Sequence, residues 1–253
     1  MVAIDYKQLP PSDSQVIWRY MALDRFDDLL DGKLYFAAAH QFEDAFEGAV
    51  TASELSRRRA VAERIFPEDV GAQDDLVAME SRAFADLRRM TKVNCWHAAE
   101  HENVAMWERY LRGEPGVAVV STVRRLKDCM HPFRLEPHYG EESIMVGRVE
   151  YLDFDTEEMS DRSMLGIFLH KRREYRDERE VRALLSLRMA SEFGVQIPTD
   201  GVVVRVDPRM LADRVVAWPD AAEDELAELA HITAAAGLQS PIVPSTLSAP
   251  PTY

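Results

Sequence analysis

The sequence predicts an α+β fold: a mixed, mostly antiparallel sheet with helical insertions. Two observations lead there. Short segments rich in β-branched and aromatic residues outnumber segments with helical spacing, and the two kinds do not alternate as a doubly wound parallel sheet requires. The 253 residues hold 47% hydrophobic side chains, enough for a core, and read as a single domain over 1–253. Its core runs from 15 to 247, with a helical insertion at 49–90 and a tail at 248–253 that is expected to fray.

Tyr6–Ser14, with Pro10–Pro11, reads as an irregular lead-in. Gln15–Met21 is a first strand. Asp24 is placed as a helix N-cap ahead of Phe26, Leu29 and Leu30, with Asp31–Gly32 ending that helix. Lys33–Ala37 is a second strand, and Phe42–Gly48 is a loop or single turn with two aromatic anchors. Ala49–Met90, rich in Ala, Arg, Glu and Leu, reads as one or two helices broken near Pro67–Gly71. Thr91–His97 is a strand, Asn103–Leu111 a short helix closed by Gly113, and Gly116–Val123 a buried strand ending in hydroxyls. Ile144–Phe154 is read as one strand and Asp161–Arg176 as a helix. Asp177–Leu187 follows as a strand of period two, with Glu178, Glu180 and Arg182 on one face. Gly201–Val206 and Asp213–Trp218 are strands, Asp220–Ala236 is a helix ended by Gly237, and Pro241–Ser245 is an edge strand.

The formal net charge of −14 disfavours non-specific binding to nucleic acid, which needs lysine and arginine to displace counterions. Arg57–Arg58–Arg59 or Arg124–Arg125–Lys127 could line a local basic groove, but both runs read first as solvated helix faces. Two cysteines, Cys95 and Cys129, build no disulfide framework. With no apparent leader and no apolar run long enough to span a membrane, a cytoplasmic location without membrane association is expected.

In order and spacing, these pieces resemble the bacterial family called domain of unknown function 2971. The matching residues are Trp18–Arg19–Tyr20, Phe26 to Leu30, Leu34–Tyr35–Phe36 and Phe42–Glu43–Asp44–Ala45–Phe46–Glu47. They continue through Cys95–Trp96, Met106–Trp107–Glu108–Arg109–Tyr110 with Gly116, Val149 and Tyr151, and Lys171 with Tyr175, Glu178, Glu180 and Arg182. Ala45 stands where the pattern usually has proline, and Tyr175 where it usually has tryptophan. The resemblance brings no activity with it.

A second likeness does bring chemistry. The order Arg19, then Ser121–Thr122, then Glu178–Arg179–Glu180 is similar to that of ADP-ribosyltransferases, in which a first-strand arginine, a middle-strand hydroxyl and a later Glu-x-Glu bind and cleave NAD. Breaking the nicotinamide–ribose bond passes through an oxocarbenium-like state that a carboxylate stabilises, so Glu178 and Glu180 are the candidate catalytic residues. Arg19 would hold the pyrophosphate, Ser121 and Thr122 would brace the ribose or the carboxylate, and Tyr20, Tyr35 and Trp107 complete the candidate NAD-binding set. The implied protein is a transferase that modifies a macromolecular target or meets a cognate protein partner, as a toxin or phage-defence effector.

The residues leave other readings open. Glu178, Glu180 and Arg182 could be surface ion pairs, or the protein a non-catalytic module that binds a partner or nucleotide. Glu43, Asp44 and Glu47 could join Glu178 and Glu180 around Mg²⁺ in a nuclease, or simply pair with arginines while Phe42 and Phe46 pin the loop. His97 and His101 lack the zinc-protease order, and a Cys95–His97 nucleophile pair competes with a buried structural thiol.

Overall fold

The computed structural model describes residues 10–248. The lead-in residues 6–9 and most of the tail, 249–253, lie outside them. Strand β1 (Val16–Ala22) runs into α1 (Leu23–Leu30), which a left-handed Gly32 (φ 73°) ends before β2 (Lys33–Ala38). A tight loop leads to α2 (Ala52–Ile65) and α3 (Val70–Met90), broken at the expected place. Then come β3 (Thr91–Ala98), α4 (Val104–Leu111), β4 (Gly116–Thr122), α5 (Val123–Cys129), β5 (Ile144–Arg148), β6 (Glu150–Leu152), β7 (His170–Arg172), β8 (Glu180–Ser186) and α6 (Arg188–Glu192). The described chain closes with β9 (Gly201–Arg205), α7 (Pro208–Leu211), β10 (Arg214–Ala217), α8 (Glu223–Ala235) and β11 (Ile242–Val243).

This is the expected α+β class. Nine strands form one sheet in which every pairing is antiparallel except β10 with β11. The sheet forks at β3. Along one edge, β3 meets β2 at its start (Ala38↔Lys92, Ala37↔Val93) and β1 at its end (Trp18↔His97, Ile17↔Ala98). Between those contacts β1 and β2 diverge. Side chains span the gap: Arg19 Nη1 donates to the Cys95 carbonyl at 2.6 Å, and Asn94 Nδ2 to the Tyr35 carbonyl at 2.9 Å. On its other edge β3 pairs along its length with β8, His97 opposite Glu180 and Cys95 opposite Arg182.

Strand alternation sorts the side chains. One face of β3 and β8 sends Trp96, Val181, Ala183 and Leu185 into the largest core, with Phe26 and Leu29 of α1, Leu126 of α5 and Leu229 of α8. The opposite face sends Val93 and Leu184 into a second cluster with Leu87, Ile167 and Phe168. A third cluster joins Trp18 and Tyr20 to Met106, Trp107 and Leu111 of α4. Polar Cys95, Glu180 and Arg182 share the Val93–Leu184 face.

Several expectations are corrected. Asp24 lies inside the first turn of α1, and Ala22 holds the cap position. The strand expected over Ile144–Phe154 divides into β5 and β6, because Val149 turns to donate its amide to the Glu180 carbonyl at 2.9 Å. The helix expected over Asp161–Arg176 is absent: 3-10 turns at Gly166–Leu169 and Arg173–Glu178 flank β7, which pairs in parallel with β6. Gly166, Ile167, Phe168 and Leu169 are all buried, so no amphipathic stripe was there to be presented. Arg58 is buried rather than solvated, against Glu54 and the Phe84 ring. Among the described residues, no helix is long and apolar enough to cross a membrane.

Candidate functional site

At the fork lies a cleft of about 340 Å³. Arg19 and Tyr35 line it from β1 and β2, Cys95 from β3, and Arg109, Tyr110 and Arg112 from α4 and its end. The loop between β2 and α2 contributes Phe42, Glu43, Asp44 and Glu47. The far wall is Lys171, Tyr175, Glu178, Glu180 and Arg182. A smaller recess of about 60 Å³ on the α1 side shares Arg19 and Tyr35.

The floor is a row of alternating charges. Arg109 binds Glu178, Lys171 bridges Glu178 and Glu180 (2.8 Å to Glu180 Oε1), Arg182 binds Glu180 (Nε–Oε2 2.7 Å), and Glu47 closes the row against both terminal nitrogens of Arg182. Side-chain exposure falls along it from 38% at Arg109 to 0% at Glu47. The row is buried at one end and open to solvent at the other. Gly48 presses the loop against Phe168 at φ 70°, which seats Glu47 on Arg182. Asp44 pairs with Arg172 at 2.9 Å and accepts from the Phe46 amide, while exposed Glu43 lies 4.0 Å from Arg112.

The two candidate carboxylates differ in kind. Burial, with the neighbouring Glu180, pushes Glu178 up to about 7 against the opposing pull of Lys171. Glu180 is more buried, yet Arg182, with help from Lys171, overcomes that and holds it well below the usual carboxylate range. Of the pair, Glu178 takes a proton first and Glu180 stays ionised. Burial also raises the Cys95 thiol and the Tyr110 hydroxyl, so Cys95 is not a ready thiolate.

Arg19 stands apart. Among the described residues no carboxylate pairs with it, its recorded partner is the Cys95 carbonyl, and burial pulls its proton affinity down.

The structure thus gathers Arg19, Tyr35, Glu178 and Glu180 in one cleft, as expected. The strand expected over Asp177–Leu187 is β8, but it begins only at Glu180. Glu178 sits in a 3-10 turn, and Arg179 adopts a left-handed φ of 44° before β8 begins at Glu180. The other four candidates lie elsewhere. Ser121 is buried, its hydroxyl donating to the Leu211 carbonyl at 2.6 Å, and Thr122 caps α5. Tyr20 and Trp107 meet edge to face at 4.9 Å in the third cluster, with their polar atoms spent on the Asn103 amide and Glu102. The reason is topological: the strand between the Arg19 and Glu180 strands is β3, while β4 lies on the far side of β1. Tyr110 is half exposed at the cleft.

The sequence reading missed Lys171, Arg109, Tyr110 and Arg182 as site residues. The signal for Lys171 was its rarity: it is one of five lysines in a chain whose positive charge is mostly arginine. His97 is buried on β3, its Nδ1 2.7 Å from the Glu178 carbonyl, and shares no helix with His101.

Compared with known proteins, the chain matches no family model, no curated protein and no solved structure.

Proposed function

We propose that the protein is ADP-ribosyltransferase-like: it binds NAD in the forked cleft and transfers the ADP-ribosyl group to a macromolecule. The observation that carries this reading is Arg19, a partly buried guanidinium with no carboxylate partner among the described residues, lining the same cleft as Glu178 and Glu180. A desolvated cation without a counter-ion is costly unless a ligand supplies the charge, and guanidinium suits a pyrophosphate. In this reading Glu180, held ionised, stabilises the developing ribosyl cation. Glu178, which titrates near neutrality, exchanges a proton with the attacking group. Tyr35 offers a ring beside Arg19 for a flat heterocycle.

Incubation with labelled NAD tests the reading, scored for released nicotinamide and for label on protein or nucleic acid. Glu180→Gln is expected to abolish turnover while the fold persists, since the swap removes charge and little volume. Full activity in both Glu178→Gln and Glu180→Gln would rule the mechanism out.

The second reading is a non-catalytic module that binds a nucleotide or a cognate partner. Its support is the closed pairing of Glu47, Glu178 and Glu180 with Arg109, Lys171 and Arg182, which a purely structural network would also show. Binding without turnover would favour it. The same pairing makes a Mg²⁺-dependent nuclease the weakest of the three, because these carboxylates already neutralise cations of the protein itself.

A further inference from the structure

The charged row across the cleft has one exchangeable end. Glu47 and Arg182 are buried, and Lys171 is held by two carboxylates. Arg109 is the half-exposed terminal member, borne on α4: it binds Glu178 and, at 3.5 Å, the exposed Asp177, with Arg112 beyond it at the rim. Arg19 lines the same cleft, and among the described residues no acid neutralises it. A phosphate entering the cleft therefore meets one guanidinium without a carboxylate partner among the described residues and one at the solvent-exposed end of the row.

We propose that phosphate-bearing ligands enter by ion exchange: a phosphate group, held by Arg19, takes Arg109 away from Glu178, and Glu178 takes up a proton as it loses its arginine. Arg109 is then a second phosphate-binding residue whose release is coupled to the protonation state of the acid it leaves. The proposal rests on the reading above only for the presence of phosphate in the ligand.

The charges around Glu178 support the exchange. Arg109 and Tyr110 approach from α4, Lys171 from β7, Tyr151 from β6 and Glu180 from β8, while Asp177 precedes it in its own turn. His97 of β3 touches its carbonyl, and burial disfavours the charged imidazole. Lys171 is shared with Glu180, so removal of Arg109 leaves Glu178 facing an ammonium that a second carboxylate also holds. A phosphate arriving nearby adds further negative charge. Both changes favour the neutral acid. No bond to phosphorus forms or breaks: the ligand brings the anion, Arg109 changes partner, and solvent supplies the proton.

Calorimetry of the wild-type chain with ADP-ribose, and separately with inorganic pyrophosphate, tests this in two buffers of different protonation enthalpy. Uptake of most of one proton per ligand is expected at about pH 7.5. Glu178→Gln should bind without proton uptake and several-fold more tightly, because its Arg109 is left with the exposed Asp177 in place of a buried carboxylate. Arg109→Ala should bind about tenfold more weakly. Binding by the wild type without proton uptake, or uptake that persists in Glu178→Gln, overturns the proposal, as does failure of both probes to bind. The wild-type proton count decides the matter even if Arg109→Ala does not fold. ADP-ribose binding with proton uptake but no turnover of NAD would overturn the transferase reading and leave the exchange standing.

Discussion

Glu178 and Glu180 are two residues apart in sequence and opposite in acid–base character, and the difference has consequences for stability. A carboxylate whose folded-state pKa is raised binds a proton in the native chain that the unfolded chain has already released. Glu178, pushed up to about 7, therefore makes stability fall as pH rises from the ordinary carboxylate range through about 7. Glu180 has the reverse sign: its stabilisation is present above the ordinary range and is lost as pH falls through its depressed value. Glu178→Gln removes the first effect and keeps the second. Melting measured between about pH 5 and 8 should show the wild type losing stability relative to Glu178→Gln as pH rises. Parallel curves would mean that Arg109 and Lys171 hold Glu178 ionised. Arg182→Ala should be harmful throughout, costing about 3–5 kcal/mol, because it strands Glu47 as a buried charge and leaves Glu180 to Lys171.

Among the elements, α4 serves both the core and the cleft. Met106, Trp107 and Leu111 pack under β1 against Trp18 and Tyr20, while Arg109, Tyr110 and Arg112 line the cleft. Spacing near 3.6 produces this division, and it was legible: Asn103 caps the helix as its amide side chain allows, and Trp107 touches the first strand. Trp107→Ala should lower stability by about 3–5 kcal/mol and shift the melting temperature accordingly. An unchanged melting temperature would show that the buried ring contributes little to stability. The Arg19 strand was legible for a similar reason, since alternation turns Trp18 and Tyr20 to one face and leaves Arg19 for the other. What could not be read were the pairings that decide which strand lies between Arg19 and Glu180. Ser121 and Thr122 satisfied the motif order, yet β4 pairs with β1 on its far edge, a fact of long-range register that local pattern does not encode. The helix expected over Asp161–Arg176 failed differently: parallel pairing of β7 with β6 captures His170–Arg172 and delivers Lys171 to the two glutamates.

At the scale of the whole molecule, the cleft wall is tied to the end of the described chain through one side chain. Glu102, between β3 and α4, accepts from the Trp107 indole at 2.9 Å and from the Ser245 hydroxyl with one oxygen. With the other it accepts from the Thr246 amide at 2.8 Å and the Thr246 hydroxyl at 2.7 Å. Four donors on one carboxylate join the first-strand cluster, the start of α4 and the segment after β11. Two-residue β11 pairs with β10 through Ile242 and Val243, and Ser248 accepts from the Asp220 amide at 2.8 Å, so Glu102 is expected to be the main anchor of the stretch between them. Hydrogen bonds to a charged acceptor contribute about 1.5–3 kcal/mol each at most, and they are not additive here because they share one group. Glu102→Ala should therefore release 243–248 locally while β1, β3, β4 and β8 keep their protection. Amide exchange read residue by residue checks this: the Thr246 amide and the Trp107 indole should exchange at least about tenfold faster, with Val119 and Ala183 unchanged. Unaltered protection at Thr246 would show that β11 pairing and the burial of Ser245 hold the segment without the carboxylate. Because α4 also carries Arg109 and Arg112, the variant further separates anchoring from binding. Faster exchange at Thr246 with unchanged pyrophosphate affinity would place the latch outside the chemistry of the cleft, and weakened affinity would show that the cleft depends on how firmly α4 is held at its start.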